Sequence, residues 1–217
     1  MALGVHSYRR VLEDKEVMKL ATVLEEIRGG HRCATTEDIR KIFGDYHKVL
    51  RWLAIFLIED EKIADAYIVD ACTIAETQAP DFHEWLVHWA ARATVGWALQ
   101  GQRARISELA PKYEHREPVH LTHLPLSPEH FVSLIKNSED IHTRLDVLCR
   151  FVLVLRGIGK DSYDEMATQL GISRSAVERA YCVAYDAIEL TSGAAPTSAE
   201  APACHVNNEH TLADSTT

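Results

Sequence analysis

The sequence predicts an all-α fold: two helical domains joined by a Pro-rich linker, the C-terminal one a helix-turn-helix. Three observations lead there. Apolar residues recur at helical spacing, and no segment alternates apolar and polar over a strand length without also fitting a helical period. Residues 110–128 hold prolines at 111, 118, 125 and 128, too many for a long helix and suited to an interdomain connection. Residues 162–188 pattern as two capped helices about a glycine. The 217 residues suffice for one large domain or two small ones. Their 47% apolar and 25% charged composition is that of a folded globular chain, not a fibrous or mainly disordered one.

The elements follow in order. Residues 1–39 form an N-terminal helical extension, with a first helix over 7–28 that carries Val11, Met18, Leu20, Val23, Leu24 and Ile27 on one side and ends at Gly29-Gly30. The first domain spans 40–106. A helical block starts near Thr36, is interrupted at Gly44, and resumes as the strongly apolar stretch 46–58. Glu59-Asp60-Glu61 marks a corner. The next helix covers 63–76, with Ile63, Tyr67, Val69, Ala71 and Ile74 as its expected core face. Pro80-Asp81 opens another, with Asp81 and Glu84 at capping-box spacing, and it runs to about Leu99 carrying Trp85, Trp89 and Trp97, the first two expected in the core. The linker is residues 107–126. Pro128 suits the first turn of a resumed helix. Residues 141–156 form an amphipathic helix striped by Ile141, Leu145, Leu148, Val152 and Leu155, stopped by Gly157 and Gly159. The second domain spans 127–190. From residue 191 to 217 the chain is poor in large apolar residues and is expected to be a disordered tail.

The most informative segment is 162–188. Ser162 and Glu165 stand at capping-box spacing, so a helix begins there and turns Met166, Ala167 and Leu170 inward. Gly171 falls where a tight turn needs positive φ. Ser173 caps a second helix that buries Val177 and Ala180. The steep crossing of two such helices needs a small contact residue, which Ala167 supplies. In DNA-binding examples the second helix enters the major groove with its N-terminal residues at base edges. Its exposed face here offers Arg174, Ser175, Glu178 and Arg179. Arginine reads guanine bidentately, serine meets phosphate or base, and glutamate accepts from cytosine. Against that, the whole chain is at −9, and residues 127–190 hold 7 basic and 10 acidic side chains, a net charge of −3. Affinity for DNA comes largely from neutralising phosphates, so tight autonomous binding is not expected.

Other function classes find little support. The longest apolar run, 52–58, is far short of the roughly 20 residues of a membrane span. The N-terminus lacks a basic start followed by an apolar stretch, so no signal peptide is visible and the expectation is a cytoplasmic protein. Five scattered cysteines (33, 72, 149, 182, 204) suit neither a disulfide framework nor a thiolate zinc site. His115, His120, His123 and His130 match no zinc spacing, His83 and His88 do not share a helix face, and Cys204-His205 stands alone. No metal or other cofactor is expected. Phosphate-loop, HExxH and GxSxG signatures are absent, and the Asp164-Glu165 pair is explained by the helix dipole, so no enzyme is expected either.

The segment SYDEMATQLGISRSAVERAYCVAYDAI resembles the promoter-binding domain 4 of bacterial RNA polymerase sigma factors of the extracytoplasmic-function group, and RLDVLCRFVLVLRGIG resembles the helix leading into it. In the first half, YHKVLRWLAIFLIEDEKIADAYIVDAC and FHEWLVHWAARAT resemble a degenerate domain 2, with Ile63-Ala64-Asp65 where the family has Ala-Glu-Asp and Ala93 where it has Asn. The resemblance covers about residues 40–190. It implies contact with the promoter −35 element by Ser162, Tyr163, Ser173, Arg174, Ser175, Glu178 and Arg179. It implies contact with core RNA polymerase by Asp65 and Ile68, and turns Arg92, Arg103 and Arg105 toward the −10 strand. Promoter DNA and core RNA polymerase are the implied partners, with an anti-sigma factor as a further one. Two other readings stay open: a degenerate sigma-like protein-interaction module, and a non-sigma helix-turn-helix regulator.

Overall fold

The computed structural model describes residues 34–77, 86–114 and 143–192. Among these the fold is all-helical, in seven α-helices: α1 Thr36–Asp45, α2 His47–Ile58, α3 Glu61–Thr77, α4 Leu86–Tyr113, α5 Val147–Ile158, α6 Tyr163–Leu170 and α7 Arg174–Ser192. The expected helix over 7–28, the opening at Pro80-Asp81, Trp85 and most of the Pro-rich stretch lie outside the described residues.

Local chemistry sets the boundaries. Thr35 caps α1 in a reciprocal box with Asp38. Gly44 does not interrupt the chain as expected. The helix passes through it, and the break falls at Tyr46, which leaves helical geometry at φ −107° and ψ 11°. The apolar helix α2 ends at Glu59, a non-glycine residue in the left-handed region at φ 61°. Asp60 then accepts from the Lys62 amide at 2.9 Å and opens α3.

In α3 the buried face is Ala64, Ile68, Ala71 and Ala75, at i, i+4, i+7 and i+11. This corrects the expected core face. Ile63 is 40% and Val69 64% exposed, and only Ala71 of the predicted set is buried. Small residues win because α3 lies close against α1, α2 and α4. On α4, Gly101 leaves the space that the Tyr67 ring end fills.

Helix α4 also differs from expectation. It continues past Leu99 to Tyr113, so the first part of the stretch read as linker is helix, anchored by buried Ile106, Ala110 and Tyr113. At 1.5 Å per residue its 28 residues span about 42 Å. Pro111 is tolerated because it sits in the last turn, where only one helical carbonyl loses its donor.

The helix expected over 141–156 is likewise divided. Leu145 and Asp146 are not helical, and Asp146 caps α5 by accepting from the Cys149 amide at 3.1 Å. From Val147 to Leu155 every residue of α5 is buried, so this helix is enclosed on all sides rather than amphipathic. It packs on α4 and α7, with α2 and α6 also against it. Buried apolar residues of α1–α4 and α5–α7 form one continuous cluster. Helix α7 extends through Thr191 and Ser192, two residues into the stretch read as tail.

Candidate nucleic-acid interface

The residues expected to meet DNA lie on α6, α7 and the turn between them. Ser162 caps α6 in a reciprocal box. Its hydroxyl accepts from the Glu165 amide at 3.3 Å, and its own amide donates to Glu165 Oε2 at 2.7 Å. Hydrogen bonds from the Ser162 amide and hydroxyl hold the Glu165 carboxyl below its usual range. Gly171 closes α6 at φ 70°, and its amide and that of Ile172 both donate to the Ala167 carbonyl, at 2.9 and 3.1 Å. Ser173 caps α7 by accepting from the Ala176 amide at 3.1 Å, and its hydroxyl shares a 3.0 Å hydrogen bond with that of Ser175. Met166, Leu170, Ala176, Val177 and Ala180 are buried, and Ala167 and Ile172 are packed against the core beside them.

This framework sorts the expected contact residues. Arg174 and Ser175 are exposed at the start of α7, with Glu178 and Arg179 half-buried one turn on. Tyr163 is buried, its ring 5.9 Å from that of Tyr181 in an edge arrangement, so it belongs to the packing of α6 on α7. The Ser162 and Ser173 hydroxyls are engaged in their caps.

Arg174 is held on two sides. Its Nε donates to Glu178 Oε1 at 2.7 Å, and its Nη1 to Asp164 Oδ2 at 2.9 Å. Glu178, expected to accept from a base, therefore accepts from its own helix neighbour. Asp164 is the residue that sequence reasoning missed. Its place in the first turn of α6 accounts for its charge, and only the turn through Gly171 brings it across to Arg174.

A second polar cluster fastens this unit to α4. Asp161, buried just before α6, accepts from Arg92 Nη1 at 2.9 Å and from Gln169 Nε2 at 2.9 Å, while its carbonyl accepts from Arg156 Nη1 at 2.8 Å. Gly159 is required beside it. A Cβ there would come within 2.6 Å of the Leu155 carbonyl oxygen and 2.7 Å of Asp161 Oδ2. Glu59 makes the other tie, bonding Arg105 Nη1 at 3.0 Å and the buried guanidinium of Arg150. Of the three arginines that the resemblance turned toward the −10 strand, Arg92 and Arg105 are thus in ion pairs, and Arg103 is exposed.

The two expected polymerase contacts, three residues apart on α3, differ in exposure. Asp65 is exposed and paired with Arg51 Nε at 3.0 Å and with His47 Nε2 at 3.6 Å. Ile68 is 3% exposed and faces the core. Beside Asp65 the outer surface presents Ala66 and Val69, and Ile63 is exposed further round the helix.

A further buried polar group joins the end of α4 to the start of α5. Tyr113 Oη donates to Asp146 Oδ2 at 2.6 Å and lies 3.2 Å from Cys149 Sγ. Burial, and then the nearby Asp146 carboxylate, push the Cys149 thiol up to about 12, which makes it inert as a nucleophile at neutral pH. Among the described residues no group of three or more His, Cys, Asp or Glu is placed to hold a metal. His83, His115, His120, His123, His130, Cys204 and His205 lie outside them. No described helix is long and apolar enough to cross a membrane. Compared with protein-family models, with curated proteins and with solved structures, the chain finds no match in any of the three.

Proposed function

We propose that this chain is a sigma-like transcription initiation factor. It binds core RNA polymerase in the cytoplasm and recognises a promoter −35 element through α6 and α7, acting as a helix-turn-helix. One observation carries the reading: a capped α6, a left-handed Gly171 and a capped α7 leave Arg174, Ser175, Glu178 and Arg179 on the outer side of the start of α7. That is the end of the second helix which meets base edges in DNA-binding examples. The acidic surroundings of Arg174 and the net charge of −9 fit a protein whose polymerase partner supplies most of the DNA affinity. Polymerase would meet the outer face of α3, where Asp65 lies beside Val69.

A second reading is favoured by that same clasped arginine. With its strongest candidate contact held by two carboxylates, the chain would be a sigma-like interaction module that binds polymerase, or a partner such as an anti-sigma factor, without opening promoters.

The test is to mix the purified full chain with bacterial core RNA polymerase and analyse it by size exclusion, then to run transcription from a library of upstream sequences. Co-elution with sequence-selective initiation is the expected result. Co-elution without initiation supports the interaction module. Failure to co-elute, with specific duplex binding by the chain alone, overturns both in favour of a polymerase-independent regulator.

A further inference from the structure

A guanidinium has five N–H donors in one plane. In Arg174 the Nε donor is spent on Glu178 and one Nη1 donor on Asp164. The Arg174 side chain nonetheless remains 52% exposed. One Nη1 donor and both Nη2 donors are left, at the end of the fork. A guanine edge, with O6 and N7 as adjacent acceptors, takes two parallel donors from such an end.

The two carboxylates do something further. One comes from α6 and one from α7, so the side chain is braced from two elements and loses little freedom on meeting a base. They also surround one positive charge with two negative ones. A phosphate approaching Arg174 meets a local net charge of −1, whereas an uncharged base edge offers acceptors in the right geometry without that repulsion.

The geometry points to Asp164 and Glu178 as positioning residues that make Arg174 a reader of a single guanine while suppressing its attraction to phosphate. This rests on the proposed reading of α6 and α7 as a DNA-recognition unit, and it names what that unit reads and what keeps it from binding DNA indiscriminately.

The experiment is selection from a random-sequence duplex library by the full chain in the presence of core polymerase. It is run for wild type, Arg174→Lys and the double variant Asp164→Asn/Glu178→Gln. Alongside it, binding of each protein to one unselected duplex is titrated over a range of salt. Wild type is expected to enrich guanine at one position. Both variants should lose that preference by about tenfold or more while other positions keep theirs. The double variant should bind the unselected duplex more tightly, with its log–log salt slope steeper by about 0.9, as one new phosphate contact requires. A purely structural role for the two carboxylates would move neither readout, and thermal melting checks that all three proteins are folded. A double variant with the wild-type base preference and salt slope overturns the inference and leaves the functional reading intact. A wild type that enriches no sequence overturns the functional reading, and the inference with it.

Discussion

Arg150 holds a full charge at zero exposure inside α5, 91 residues from the Glu59 carboxylate it meets. The Phe56 ring lies below it, 6.0 Å from the guanidinium carbon. Taking away one member of such a pair strands a buried charge. Glu59→Ala should therefore cost about 3 kcal/mol, at the low end for buried pairs because Glu59 itself is a third exposed. Urea unfolding measures it, and pairing Glu59→Gln with Arg150→Met should recover most of the loss. The same carboxylate has a pH signature. Burial alone would raise its pKa, but Arg150 and Arg105 outweigh burial and leave it below the ordinary 4.5. A carboxylate with a depressed folded-state pKa lends its stability in full above the unfolded value. That stability is lost as pH falls through the folded one. The melting temperature should drop below pH 4.5, and Glu59→Gln should flatten part of that drop. The corner at 59–61 was legible in the sequence. Its purpose was not, because no local pattern ties a turn glutamate to an arginine in a distant helix. The left-handed backbone at Glu59, which costs a non-glycine residue about 1 kcal/mol, aims its carboxylate at both arginines.

At the scale of elements, α3 separates two ways of reading a helix. Ranking residues by size puts Ile63 and Val69 inside; the packing instead encloses the alanine side around Ile68. Ile68→Ala should cost about 2–4 kcal/mol, and Val69→Lys less than about 0.5 kcal/mol, both read from the shift in urea midpoint. A large loss at Val69 would mean that the helix is turned the other way. The α6–α7 unit was legible almost residue by residue, since caps and a left-handed glycine are local rules: Ser162 with Glu165, Gly171, Ser173. Helix α3 was not, because its phase is set by how near α4 comes, and α4 is near because Gly101 and the alanines let it be. Helix α5 failed differently. Its stripe from Leu148 to Leu155 is real, but the other side is buried too, and sequence periodicity cannot report a helix enclosed by four neighbours.

For the molecule as a whole, the described residues bury one cluster that runs from α1 to α7 without a gap. All four tryptophans lie between residues 52 and 97, so their fluorescence reports the first half alone, while far-UV circular dichroism reports every helix. Val177→Ala, in α7, should lower the fluorescence midpoint in urea by the same amount as the circular dichroism midpoint. A fluorescence transition unmoved by this substitution would mean that the two halves unfold separately. Composition suggested a division where the prolines gather, but Pro111 lies inside α4, and Pro118, Pro125 and Pro128 lie outside the described residues. Which helices lie against one another is decided by side-chain fit across long sequence separations, and composition is silent on it.

The Tyr113–Asp146 hydrogen bond, beside the Lys112–Asp146 ion pair, holds the end of α4 against the start of α5. The polypeptide between residues 115 and 142 thus joins two points that the fold already keeps together, and cutting it would remove a covalent tie but no helix contact described above. A protease site engineered into that segment should yield two fragments that migrate as one particle until denaturant is added. Expressed from separate reading frames, the two pieces should find each other and restore the intact assembly, which makes this chain a candidate for a split reporter.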